Sequence, residues 1–425
     1  MPVNNYSLLS LFYSVDLTLN NTDPSNHLFE DFIMLFISDQ DVGLESYKIK
    51  IQSVQQNTEA FRQKLTAFIE YYKEHDLRFH RLLSYFQKLK ENEHFILWPT
   101  DDLSPEKRNE LHLILTSLEE SLDYKVISRE HNELFASLLE AYHLMAFGEL
   151  TKEGIGEKNK EMRVCRFCGK KRPTVSFKNV AHAISESLGN KKIILHEECD
   201  ECNERFGSAS GIEKSLISYL KIYGSYFGVK GKSGVAKFKG RNFTLTNEGI
   251  IKLDHFLRKG EKPHDTSFRL ETYEKIVAQD IYRTLCKYAL SVIDSSVLIN
   301  LRDTVRWINR EYNLDRLPKV GLLKSYERFT KHPSILIYQR KNMDTTLPFL
   351  VGELHYTFLI IVYIIPLAAG DVNFTDEISY GRFWQFFKHY SRSEGWQFLN
   401  LSDQKEKDLT INLNFDIKGE NIKSD

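Results

Sequence analysis

Five cysteines occur in 425 residues, and four of them form two pairs, Cys165/Cys168 and Cys199/Cys202. Each pair has the CxxC spacing, in which one tight turn aims two sulfurs at a common point while nearby backbone N–H groups stabilise their charge. Four thiolates complete a tetrahedral Zn2+ shell and leave no position open for substrate, so the pattern predicts a structural zinc site. So few cysteines in so long a chain exclude a disulfide scaffold. The fifth, Cys286, lies in an apolar helical pattern and is expected to be a small core residue.

A bare zinc ribbon places about 15–20 residues between its two pairs, whereas residues 169–198 intervene here. The longer insert has a pattern of its own. Apolar residues alternate from Val175 into His182, a Leu188-Gly189 turn follows, Ile193 to His196 makes a second short strand, and the second pair opens a helix. Strand, loop, strand and helix are therefore expected between Val175 and Gly207.

Taken in order, Cys165–Cys168, His182-Ala-Ile-Ser-Glu-Ser-Leu-Gly-Asn190, and Cys199–Cys202 followed by Asn203, the segment resembles the zinc-knuckle branch of the HNH endonuclease family. The resemblance covers Cys165 to Phe206. It implies a ββα-metal fold and hydrolysis of nucleic-acid phosphodiesters with a divalent ion, Mg2+ or Mn2+, beside the structural Zn2+. On this resemblance His182 is the general base, largely neutral at physiological pH because an ordinary imidazole titrates near ~6.5. Asn203 is the helix-borne member of the catalytic ion site, and Asn190 or His196 orients the base and positions the phosphate. Two residues depart from the pattern. Ala181 stands where most members carry an ion-ligating Asp or Glu, and Ser185 replaces the usual Pro. Glu186, Glu198 and Asp200 are the nearby carboxylates that could substitute. The Ala181 departure also admits an alternative function, a catalytically degenerate, zinc-stabilised nucleic-acid-binding or scaffold protein.

Lys and Arg number 57 against 58 Asp and Glu, so a polyanionic partner has to be held by local basic patches. Such patches exist. Between Lys158 and Lys192 ten basic residues face two acidic ones, Glu161 and Glu186, and Lys221 to Arg241 adds six with none opposing. Lys170, Lys171, Arg172, Lys191, Lys192 and Arg205 are the expected phosphate contacts, of the kind that give salt-dependent, sequence-independent affinity. Double-stranded DNA is the expected partner.

At about 150 residues per domain the length accommodates three. The expected fold class is α+β, with a helical N-terminal accessory domain over 1–155, an HNH module with its zinc knuckles over 156–245 and a mixed α/β C-terminal region over 246–425. Apolar residues recur at helical spacing between Leu44 and Leu150, as in Phe61, Leu65, Phe68, Ile69 and Tyr72. Ser104-Pro105-Glu106 reads as a helix entry and Glu130 to Phe147 as a further helix. Residues 148–160 read as a linker. Helices are expected over 212–226, 273–293 and 297–308, a loop over 228–234, short strands over 235–243, sheet at Ile335–Tyr338 and Phe358–Ile365, and a frayed tail after Asp403. The N-terminal domain carries packing patterns and no chemistry, and a regulatory protein partner is expected there, as in restriction or phage-defence systems to which the family resemblance points. The longest apolar run, Phe358–Ala369, is short of the ~20 residues of a membrane span. Met1–Leu19 lacks the basic start of a signal peptide. A cytoplasmic protein with no membrane partner is expected.

Overall fold

The computed structural model describes residues 4–19, 27–37, 53–72, 79–148, 153–232, 234–245, 251–253, 267–325 and 329–414. The chain divides into two units, Met1–Leu134 and Phe135–Asp425. Residues 44–52 of the expected helical stretch lie outside the described residues.

The first unit comprises β1 (Asn4–Ser10), β2 (Ser14–Leu19), α1 (Leu28–Met34), β3 (Val54–Gln56), α2 (Glu59–Tyr72), α3 (Phe79–Phe86), β4 (His94–Pro99) and α4 (Pro105–Glu119), with α5 (Tyr124–Ala141) crossing into the second. Helical periodicity alone does not reveal that it also holds an antiparallel sheet, ordered β2-β1-β4-β3. Side chains of a strand alternate between faces, and β4 shows the consequence. Phe95 and Leu97 join Phe32, Phe36, Phe61 and Phe68 in one core, while Ile96 and Trp98 join Leu9, Leu111 and Leu115 in another. The α2 stripe buries Phe61, Leu65, Phe68, Ile69 and Tyr72, as its spacing predicts. At the expected entry to α4, Ser104 caps the helix by accepting from the Lys107 N–H, with Pro105 at the first helical position.

The second unit opens with β5 (Tyr142–Phe147), so the helix expected to reach Phe147 stops at Ala141. There follow β6 (Glu153–Ile155), β7 (Ala181–His182), β8 (Ile193–Leu195), α6 (Asp200–Gly207) and α7 (Glu213–Tyr226). Beyond them come β9 (Lys230–Gly231), β10 (Gly234–Val235), β11 (Phe238–Lys239), β12 (Phe243–Leu245), β13 (Ile251–Leu253), β14 (Ser267–Val277), α8 (Ala278–Val292) and α9 (Arg302–Ile308). The chain closes with β15 (Val320–Lys324), β16 (Thr330–Arg340), β17 (Leu350–Thr357), β18 (Leu359–Ile364), α10 (Glu377–Phe386), α11 (Lys388–Ser391), β19 (Gln397–Leu399) and β20 (Glu406–Asn414).

A six-stranded sheet ordered β19-β15-β18-β17-β16-β5 is its framework, and β18, the apolar run, is buried along its whole length. Several expectations change. Tyr273–Val277, the first five residues of the helix expected over 273–293, are strand, because β14 pairs with β20, and β20 is itself the segment expected to fray. The described part of the expected 148–160 linker contributes β6, which pairs in parallel with β8. One continuous hydrophobic cluster runs from Cys165 through α7 and α8 to Leu401, so the boundaries expected at 155 and 245 fall inside a single unit. Within it α8 is buried on every face from Gln279 to Val292.

Candidate functional site

β7 and β8 form an antiparallel pair, Ala181 opposite Leu195 and His182 opposite Ile194, and α6 follows directly. This is the expected ββα unit. The loop between the strands turns at Gly189, whose φ of +89° calls for a residue without a Cβ.

All four knuckle sulfurs lie within 4.8 Å of one another. A tetrahedron with Zn–S bonds of about 2.3 Å has edges near ~3.8 Å, and Cys168 Sγ stands 3.7 Å from Cys199 Sγ. The metal-free sulfurs hold charge unequally. A hydrogen bond from Cys202 holds the Cys165 thiol down to about 5 against the opposing effect of burial, helped by the backbone N–H groups of Cys199, Cys168 and Phe167. The same contact pushes Cys202 up. The cluster therefore fits a structural zinc ion, while among the described residues no second group of three or more His, Cys, Asp and Glu comes together.

Charged side chains fasten the knuckles to α8. Arg166, between the first two cysteines, donates from Nη1 to the carbonyls of Leu290 (2.7 Å) and Ile293 (3.1 Å) and from Nη2 to Glu197 Oε2 (2.6 Å). Glu197 accepts further from the Glu157 N–H and the Ser295 hydroxyl. Lys287 of α8 lies 3.0 Å from both Glu198 Oε2 and Glu213 Oε1. Burial pushes the Glu198 carboxyl up to about 7 despite the pull of Lys287. Burial also works against the Lys287 charge, but the two carboxylates hold that ammonium above its ordinary value.

The residues expected in the site divide by what they touch. Asn190 is a turn staple: its Nδ2 donates to the carbonyls of Ile184 and Ile193, and its Oδ1 accepts the N–H groups of Lys192 and Ile193. With both ends of its carboxamide taken by backbone, it cannot orient a base. Asp200 is similarly engaged, accepting from the Ser176 hydroxyl (2.5 Å) and the N–H groups of Lys178 (3.0 Å) and Asn179 (2.9 Å). It thereby fixes the approach to His182. Glu198 is committed to Lys287, so of the three candidate carboxylates Glu186, half-buried, has no such tie among the described residues. Arg205 also differs from expectation. Its guanidinium donates to Asn309 Oδ1 (2.7 Å), approaches Cys202 Sγ and lies over the Phe206 ring, which makes it a cap on the knuckle. Arg172 pairs with Glu161, Lys170, Lys171 and Lys191 are exposed, and Lys192 is half-buried.

His182 and Asn203 are both half-buried, on β7 and in the first turns of α6. His196 lies against β6, so close that a Cβ on Gly154 would come within 2.5 Å of its Nε2. Burial first, then Arg163 and Lys158, lower its basicity. A cavity of about 430 Å³ opens beside His196, lined by Lys158, Lys160, Lys178, Arg163 and Ala181 among others, and neither His182 nor Asn203 lines it. Arg163 itself is buried and braces the loop by donating to the carbonyls of Glu157 and Lys158. The sequence count of basic residues includes these lysines, but only the β6–β8 pairing, formed by a segment that reads as linker, gathers them around one cavity.

Residues 165–211 match the family model described as HNH endonuclease. Over this segment the chain is similar to the HNH endonuclease family. No curated protein and no solved structure matches the chain. The HNH assignment therefore concerns the knuckles, the strands between them and α6, within an α+β chain. Among the described residues no helix is long and apolar enough to cross a membrane.

Proposed function

We propose that the chain is a metal-dependent HNH endonuclease that hydrolyses phosphodiester bonds of double-stranded DNA. The observation that carries this reading is the ββα unit itself, stapled by four thiols, with His182 on its first strand and Asn203 on its helix. In this reading the His182 imidazole takes the proton from the attacking water. His196 hydrogen-bonds the scissile phosphate as a neutral donor. Lys158, Lys160 and Lys178 compensate the phosphate charge along the strand.

Asn203 is the residue suited to hold Mg2+ or Mn2+. Its half-buried carboxamide makes no side-chain hydrogen bond with any described residue. Mg2+ commonly keeps several waters and takes few protein ligands, sharing substrate phosphate oxygens, so a shell without a residue-181 carboxylate is chemically sufficient. When bound, the ion supplies charge stabilisation at the departing 3′ oxygen. The zinc is structural, and the module acts in the cytoplasm under a regulatory protein partner bound to the first unit, as in restriction or phage-defence systems.

A second reading, a nucleic-acid-binding module without turnover, is favoured by Ala181 together with the engagement of Asp200 and Glu198 elsewhere. Supercoiled plasmid separates the two. The nuclease nicks or linearises it in Mg2+ or Mn2+ and loses this with His182→Ala or Asn203→Ala. The binder retards it in a gel, with steep salt dependence, and leaves it intact.

A further inference from the structure

A second cavity, of about 380 Å³, lies beside the HNH module and is unused by the chemistry above. Its walls come from Ser187 and Leu188 of the motif loop, from the end of α6, from α7 and from Tyr356 of β17. Two features mark it as built for a ligand. The hydroxyls of Ser225 and Tyr356 line it on residues only 3% and 1% exposed, and neither makes a hydrogen bond with a described residue. A buried hydroxyl without a partner destabilises a fold, yet that of Ser225 is kept at the wall of this space. Tyr356 reaches it because α7 has glycine at 224, where a Cβ would stand 2.2 Å from the phenolic oxygen.

The second feature is the distribution of charge. Glu274 is neutralised by Lys221 at 2.7 Å and also accepts from Ser218 at 3.1 Å, so Lys214 leaves the cavity with net positive charge. Leu188, Ile217 and Val229 supply apolar wall. Apolar faces, two directional hydroxyls and one cation match a heterocyclic base, its hydrogen-bonding edge and a phosphate. The volume lies near the lower end of the roughly 300–1,000 Å³ of small-ligand sites, room for one nucleotide and not for a stretch of strand.

We propose that this cavity binds a single phosphorylated nucleoside, its phosphate toward Lys214 and its base edge toward Ser225 and Tyr356. The choice of a nucleoside over other phosphorylated ligands rests on the nucleic-acid reading of the adjoining module. The nucleotide comes either from solution or from a strand that turns one residue out of its stack.

The test is calorimetric titration of the zinc-loaded full chain, without added Mg2+ or Mn2+, with the four nucleoside 5′-monophosphates and with ribose 5-phosphate. A second arm uses a short single strand carrying 2-aminopurine, which brightens when unstacked. Because the two hydroxyls bond to no described residue, Tyr356→Phe and Ser225→Ala are expected to melt like the parent. Each should weaken nucleotide binding by about 2–10-fold, and Lys214→Ala by roughly 10–100-fold. Saturable binding of a monophosphate with these losses supports a free nucleotide. A 2-aminopurine signal with the same losses, and no monophosphate binding, supports a nucleotide of the strand. Silence in both arms, ribose 5-phosphate binding as tightly as every nucleotide, or variants that bind like the parent would overturn the proposal. Silence beside intact His182-dependent cleavage removes the cavity's role and keeps the nuclease, whereas nucleotide binding without cleavage does the reverse.

Discussion

Lys287→Met probes the junction between the knuckles and α8. The ammonium is 1% exposed and lies 3.0 Å from the carboxylates of Glu198 (0%) and Glu213 (8%). Met approximates the length of the lysine stem and keeps its contacts with the neighbouring rings, so the substitution removes mainly the charge. The two buried carboxyls then lose their counter-charge and must stay unpaired or take up a proton, and removing one partner of a buried ion pair costs about 3–5 kcal/mol. At roughly 2 °C per kcal/mol for a unit of this size, the transition should fall by about 6–10 °C at pH 7. Tryptophan fluorescence is a suitable reporter, because Trp307, Trp384 and Trp396 belong to the second unit and only Trp98 to the first. Adding Glu198→Gln and Glu213→Gln removes the uncompensated charges and should recover most of the loss, as replacement of whole buried ion clusters often does. A Lys287→Met transition within 2 °C of the parent, or no recovery in the triple variant, would refute the argument that this charge cluster holds the knuckles to α8.

Three other perturbations have defined outcomes. Asn190→Ala frees two buried carbonyls and two N–H groups of the motif turn, and should lower stability by about 2 kcal/mol or more, read from the urea midpoint, while zinc content stays unchanged. Burial alone would raise the Glu353 carboxyl, but the hydrogen bond and charge of His355, with the Tyr390 hydroxyl, bring it from 4.5 down to about 2. Its ionised form therefore favours folding above about pH 4.5, and this contribution, on the order of 3 kcal/mol, is lost as pH falls towards 2. The stability gap between the parent and Glu353→Gln should close over that window in urea titrations. Cys202→Ser removes one of the four thiols, and atomic absorption should show zinc falling from one ion per chain to substoichiometric, with a lower melting temperature.

The knuckles, the ββα unit and the turn at Gly189 were legible because local rules govern them: two CxxC spacings, alternation into His182, and a glycine at positive φ. The polar stripe of α8 was not. Asp280, Arg283, Lys287 and Ser291 recur at helical spacing and read equally well as a solvent-facing side, yet all are buried and each meets a partner. Those partners, Glu198 and Glu213 for Lys287 and Asn313 for Arg283, come from distant chain positions that no local pattern reveals. The roles of Asn190, Asp200 and Arg205 were obscured for a related reason. Their residue types suit both catalysis and loop bracing, and only the hydrogen bonds distinguish the two. β6 and β20 escape a sequence reading because charged or polar strands acquire order from their neighbours, β8 and β14, and not from their own apolar content.

Cleavage of supercoiled plasmid by the zinc-replete full chain in Mg2+ or Mn2+, parent beside His182→Ala, tests the central claim most directly. A positioned general base contributes roughly 10²–10⁴-fold, so the variant should keep its zinc and its melting temperature and cut at least about 100-fold more slowly. A His182→Ala protein that cuts within a few-fold of the parent, or a parent that binds the plasmid and never cuts it, would contradict the account.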